Sequence, residues 1–435
     1  MFVRVCLLGI LVPNHYHVKM YKFVFKSRLI FKLKFMNKTK TRPQISIALG
    51  IILLPVILMP MSVLADESDT LNFVAGVTRL HDDNLFRTSS SEQSDNITKA
   101  FASIRLDKAY SMQRFKFDYT LTASRYQKNS NLDFNAQDYK AAWLWTLTPS
   151  LKGTLSADRS QQLNDFQDYR NVVGANGKNI RVTQTQHFEA DFSPHGVWHL
   201  LGGVTRSTLK NSRIFNEEDD YTLNALDAGI RYDFRSGSTV TLMGHQKQGE
   251  YDNRSANPTF LLDSGFDETE GEAKLNWILS GKSQLNLRTA YVSRDHDHFS
   301  RRDYSGAVGS ADYGWTPTGK LRVNVRLASD LSSYQTSDSS YTRNNTLSVT
   351  PAYAVTEKIN MNANASISRR SFQGSGINPS GDRVDHTNVV SIGADWKPHR
   401  NVTLGASLKR TNRNSSVSNL DYTDTITGIT GTLNF

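Results

Sequence analysis

Three features of this 435-residue sequence predict an all-β fold, a transmembrane antiparallel β-barrel. A leader-like apolar run precedes the bulk of the chain. Long stretches then alternate apolar and polar residues, and tight turns recur about every forty residues. Counting those turns gives about eighteen strands, with short periplasmic turns and long extracellular loops. Sixteen is the alternative, because the first hairpin is the least marked.

The leader comes first. Ile45 to Met61 is apolar, preceded by Lys38, Lys40 and Arg42 and followed by Ser62-Val63-Leu64-Ala65 and the acidic DESD. A basic start, an apolar centre and small residues before a polar stretch describe a secretory signal peptide over 36–65, cut between Ala65 and Asp66. Pro55 and Pro60 argue against a membrane helix. Residues 1–35 read as an upstream extension ahead of a true start at Met36, and 66–435 as the barrel. The one cysteine, Cys6, falls in that extension. The barrel therefore has no disulfide or thiolate ligand to offer, and no metal or cofactor is expected.

Charge reads differently once the leader is set aside. The chain holds 51 Lys+Arg and 41 Asp+Glu, a net +10. Ten of the basic residues and none of the acidic ones precede Asp66, so the remainder is balanced. The basic excess therefore gives no support to nucleic-acid binding.

The strands are read from a period of two. Phe115, Phe117, Tyr119 and Leu121 alternate with Lys116, Asp118 and Thr120. Leu321, Val323, Val325 and Leu327 alternate with Arg322, Asn324 and Arg326. The same holds for Ile359 to Ser368 and Val402 to Lys409. A sandwich would also alternate. What favours a barrel is the placing of Trp143, Trp145, Trp198, Trp315 and Trp396 beside the short turns, as an aromatic girdle at one membrane interface requires. Short turns fall near residues 111, 149, 194, 237, 281, 318, 357 and 398, separated by long Asn/Asp/Ser/Gly-rich loops.

The chain ends TDTITGITGTLNF. Ile429, Leu433 and Phe435 share one face of a last strand that pairs with the first and leaves no free edge. Leu433 and Phe435 are expected to act in assembly, as the terminal signal read by the barrel-assembly machinery, while the strand faces outer-membrane lipids.

Alternation also assigns a lumen. Its candidate contacts are Arg231, Arg288, Arg322 and Arg326, in a wider set with Arg105, Lys116, Lys152, Arg370, Lys409, Asp107, Asp118, Asp158, Glu189, Asp191, Asp233 and Glu272. Mixed charges there can narrow a pore, set a transverse field or bind a sugar chain, but their commoner role is to pair with one another. Arg322 and Arg326 are expected to lie near enough to contact neighbouring units of one acidic polymer. Asp295, His296, Asp297 and His298 form the one stretch with metal-ligand character, read as the tip of a long loop. No GxSxG, HExxH or phosphate loop is present, so no enzyme is expected.

The segment LNFVAGVTRLHDDNLFRTSS, above all Asp83-Asn84-Leu85-Phe86-Arg87, resembles the opening of the EpsL-type outer-membrane proteins of exopolysaccharide loci. The similarity continues through FDYTLTASRYQKN and WTLTPSLKGTLSADRSQQLNDF. It implies a barrel in exopolysaccharide biosynthesis or export, with the polysaccharide and other export proteins as partners. A porin for small solutes and a barrel anchoring a biosynthetic complex are the alternatives.

Overall fold

The computed structural model describes residues 70–167, 177–213, 219–334, 339–374 and 383–435. The extension, the signal peptide and the Ala65/Asp66 cleavage point lie outside the described residues. Eighteen strands follow in order: β1 (Leu71–Asp82), β2 (Asp95–Tyr110), β3 (Gln113–Tyr126), β4 (Phe134–Thr148), β5 (Leu151–Leu163), β6 (Ile180–Phe192), β7 (Trp198–Asn211), β8 (Tyr221–Asp233) and β9 (Thr239–Tyr251). The second half comprises β10 (Gly265–Ser280), β11 (Ser283–His296), β12 (Tyr304–Trp315), β13 (Leu321–Ser333), β14 (Tyr341–Ala354), β15 (Ile359–Gln373), β16 (Val384–His399), β17 (Val402–Ser415) and β18 (Tyr422–Asn434). Each strand pairs antiparallel with its sequence neighbours, and β1 pairs with β18, so the sheet closes. The count is the eighteen that the turns predict.

Alternation explains why these segments stay extended. Leu121, Leu155, Val204, Leu226, Leu287, Leu327, Ile367 and Val390 are all exposed, one from each of eight strands, and they have the parity of the lipid face. In water such a surface would aggregate; in hydrocarbon it is the favourable one. Near the short turns the same face turns aromatic. Phe115 stacks on Trp143, whose indole Nε1 donates to Gln113 Oε1 at 2.8 Å. Trp198 packs on Tyr232, and Tyr232 on Phe234. Trp145 differs from its neighbours. It lies flat over Gly153, where any Cβ would meet its ring at 2.4 Å, and against Phe188, so it is buried within the girdle.

The terminal strand closes the seam. Nine register pairs join Asp82–Val74 to Ile426–Asn434. Phe435 extends the ladder by exchanging both backbone bonds with Phe73 (2.7 and 3.0 Å).

The long loops share a local device. The backbone N–H that ends a strand donates to an Asp placed just before the aromatic that opens the next. Tyr126 N meets Asp133 (2.7 Å), Asn211 N meets Asp220 (2.7 Å), His296 N meets Asp303 (2.7 Å) and Ser415 N meets Asp421 (2.6 Å). Each Asp precedes Phe134, Tyr221, Tyr304 or Tyr422. The carboxylate satisfies a donor that the outgoing strand can no longer pair, and the aromatic packs on the loop.

Candidate functional site: the barrel lumen

The lumen-facing side chains divide into three arcs. In the first, β6 to β11, charges interlock. Arg231 donates to Asp191 Oδ2 (2.9 Å) and Asp233 Oδ1 (2.8 Å), and His199 Nδ1 to Asp191 Oδ1 (2.5 Å). His245 meets Asp227 (2.6 Å), while Lys247 bridges Glu268 (2.9 Å) and Glu270 (2.7 Å). Arg288 binds Glu270 and Glu272, and Arg294 reaches Glu268 at 2.8 Å. The three glutamates are buried beneath their cations. Such a layer is internally neutralised, since an unpaired charge there would carry a large desolvation cost.

The second arc, β2 to β5, is open to solvent. Arg105 and Asp118 lie 3.5 Å apart with 56% and 43% of their side chains accessible. Arg114 and Asp107 pair at 2.6 Å with similar exposure. Together with Lys140 and Asp158, residues of this arc line a cavity of about 1060 Å³. Half-exposed charges on an inward face mean water inside the barrel.

The third arc, on β13 to β15, is mostly uncharged: Asn324, Ser348, Thr350, Asn360, Asn362 and Asn364. Thr350 Oγ1 donates to Asn364 Oδ1 at 3.1 Å.

Of the four arginines singled out from the sequence, the structure leaves three in ion pairs. Arg231 and Arg288 sit in the interlocked arc, and Arg326 holds both oxygens of Asp312 at 2.7 Å. Arg322 has no ion-pair partner among the described residues. The four are not brought together. Arg322 and Arg326 stand four residues apart with Asn324 between, about 13 Å along a strand. They do not lie near enough to contact neighbouring units of one polymer, which corrects that expectation. Lumen residues that sequence reading missed are Asp227, His245, Lys247, Glu268 and Glu270. The signal was there in FDETEGEAK, where glutamates recur every second residue. It was hidden because the intervening Asp267, Thr269 and Gly271 are not apolar at that height of the wall.

The metal-like stretch is corrected in part, since of its residues only Asp297 and His298 lie in the loop after β11. Ser293 to His296 belongs to β11 rather than a loop tip. His296 is buried against Asp303, whereas His298 meets Asp263 at 2.9 Å, so the two imidazoles do not share a site.

The long-loop end is narrowed from two sides. Leu85 and Phe86 pack with Ile97, Tyr126, Leu132 and Phe166. From the loop after β5, Gln167 accepts Arg413 Nη2 (3.1 Å) and Tyr422 OH (3.2 Å), spanning the seam strands. On the other side, fully buried Arg302 donates to the carbonyls of Phe260, Leu261 and Ser339 (2.6–3.0 Å), tying three loops together.

A closed eighteen-stranded wall, greasy outside and wet within, defines an outer-membrane β-barrel of channel type. More particularly, the sequence matches the family described as Putative beta-barrel porin 2 over residues 74–435, and the chain belongs to that family. No curated protein matches it. Among solved structures, the outer membrane protein opdK of Pseudomonas aeruginosa is similar at 10% identity and TM-score 0.48, covering 84% of this chain and 99% of that one. OccK2 (OpdF) of the same organism, in complex with glucuronate, gives 9%, 0.49, 84% and 98%.

Proposed function

We propose that the barrel, delivered by its signal peptide, is a passive channel for small polar solutes across the outer membrane. The observation that carries this reading is the open, half-exposed charged arc of β2 to β5 inside a wall of eighteen strands. Barrels of sixteen to eighteen strands leave an aqueous channel, whereas eight-stranded ones fill with side chains. Most lumen cations pair locally, so the pore presents little net field, and discrimination would be by size and by hydrogen bonding along the amide arc. Reconstituted in planar bilayers, the protein should give ohmic, weakly selective conductance, and proteoliposomes should swell in small neutral sugars. Absence of both would overturn the reading.

Exopolysaccharide export is the second reading, favoured by the resemblance around Asp83–Arg87. In the folded chain that run holds the loop after β1 and ties it to β18. Asp82 accepts Asn84 N (3.0 Å) and Arg87 Nη1 (2.9 Å); Asn84 Nδ2 donates to Thr88 O and Thr423 O (2.8 and 2.9 Å). A deletion strain that loses secreted polymer while keeping normal small-solute permeability would put export first.

A further inference from the structure

The wall is not uniformly closed. Between β12 and β13 the register runs from Trp315↔Val323 only to Gly309↔Ser329. Above that point β12 continues to Tyr304 and β13 to Ser333, each paired on its far side but not to the other. The same parting occurs between β4 and β5, where pairing stops at Tyr139↔Arg159. Both stopping residues, 139 and 159, recur 170 positions later. So does the short 3-10 turn before the first strand of each pair, Ser130–Leu132 and Ser300–Arg302. In both partings a guanidinium from a later strand enters to satisfy the carbonyl left bare: Arg159 donates to Gln137 O, and Arg343 to Ala307 O (3.0 Å).

The two copies differ in how the gap is filled. Between β4 and β5 the seal is polar: Gln161 N donates to Asp138 (2.7 Å) and Gln137 N to Gln161 Oε1 (3.3 Å). The positions 170 residues on are Ala307, Val308 and Leu331, which cannot make those bonds. Leu331 has the parity of lipid-facing Leu327, yet packs on lumen-facing Ala290, Val292 and Val308. It therefore passes through the parting. Gly306 leaves the room, since a Cβ there would meet Arg343 Nη2 at 2.8 Å and Leu331 Cδ1 at 3.1 Å. Beside this point lies a groove of about 660 Å³, where lipid-facing Leu327, Leu347 and Ile367 meet inward-facing Val308. Its lining includes Arg288 and Arg369 and no carboxylate.

We propose that the β12–β13 parting is a lateral window between the lumen and the outer leaflet, occupied by an acyl chain bearing an anionic head group. The chain lies along Leu327, Leu347 and Ile367 and enters past Leu331. The head stays at Arg369, where the lipid face turns from leucine and isoleucine to arginine. Beside the Arg343 guanidinium, Leu327, Leu331 and Val308 lead from the leaflet face of the wall to its inner face, where the β4–β5 parting has Gln137, Asp138 and Gln161 instead.

The test is photo-labelling of the full barrel in liposomes with a diazirine-bearing stearate, mapped by peptide mass spectrometry. Label should concentrate on β12–β13 peptides, with the β4–β5 peptides as the control in the same molecule. Copying the polar seal, with Ala307→Gln, Val308→Asp and Leu331→Gln, should lower that label several-fold and leave ion conductance unchanged. Should this triple variant fail to show heat-modifiable folding, Leu331→Trp, which fills the slot with apolar bulk, should give the same loss. The methyl ester of the probe should label several-fold less than the acid. Even labelling around the wall, label at β12–β13 that survives the folded variants, or equal labelling by the ester overturns the proposal. A barrel that conducts ions but shows no focus of label sinks the window alone. One that shows the focus but does not conduct sinks the porin reading alone.

Discussion

His298 shows how a loop charge differs from a lumen charge. It projects from the loop after β11 into solvent, and its Nδ1 donates to Asp263 at 2.9 Å. That hydrogen bond, aided by the charges of Asp263 and Asp297, raises the imidazolium pKa above its ordinary value. Burial alone would lift the Asp263 carboxyl, but the side chain and N–H of His298, with the N–H groups of Phe299 and Ser264, outweigh it and hold that carboxyl below the carboxylate range. The His298 pKa is raised, so its contribution to loop order is complete below the unfolded value of about 6.5 and fades as pH rises through the folded one. An NMR titration should place its midpoint above that of a free histidine, and Asp263→Asn should bring it back toward about 6.5. An unchanged midpoint in the variant would remove Asp263 as the cause.

At the scale of elements, strands and loops obey different rules. A strand here needs only its alternation and two neighbours, so substitutions that keep parity are tolerated, while an Arg on the lipid face near the midplane would cost about 2–4 kcal/mol. Loops hang on single polar groups. Arg302→Ala would leave the carbonyls of Phe260, Leu261 and Ser339 without this donor, at about 1–3 kcal/mol for each one that stays buried and unsatisfied. The expected result is faster proteolysis in the loops after β9, β11 and β13, with strand content by circular dichroism unchanged. Protease resistance equal to the parent would mean that the loops are held elsewhere. The Asp-before-aromatic closures belong to this scale too. Asp133-Phe134, Asp220-Tyr221, Asp303-Tyr304 and Asp421-Tyr422 stand in plain view in the sequence. Their meaning depends on a donor six to nine residues upstream, and spacing alone does not point to it.

For the whole molecule, closure is the cooperative event. Until β18 meets β1, both strands present bare ladders, and each unsatisfied backbone group in hydrocarbon costs several kcal/mol. Phe435 supplies the last backbone pair with Phe73 and an aromatic 55% exposed at the girdle. Replacing it by Asp keeps the backbone pair but puts a carboxylate at the lipid interface. The heat-modifiable, outer-membrane form should fall, and wild-type yield from Phe435→Asp would show the terminal aromatic to be incidental.

Strand number, strand parity, the girdle and the ends of the barrel were legible because they depend on short-range periodicity. A period of two can be read within one strand without knowing what it pairs with, and eight turns mark its phase. The inward parity of Arg231, Arg288, Arg322 and Arg326 follows from the same rule. Which charges meet does not. Arg231 with Asp191, Lys247 with Glu270 and Arg326 with Asp312 join different strands, and only the register and stagger of the closed sheet decide those pairs. The two partings lay deeper still. Tyr304 to Val308 and Asp330 to Ser333 read as ordinary strand, and nothing local says that they separate. Separation is a property of two neighbouring strands together, not of either one. Composition and alternation thus determined a wet barrel in a membrane, while tertiary structure alone decided how its charges are neutralised and where two of its strands part, because both depend on contacts between strands that no single strand's pattern records.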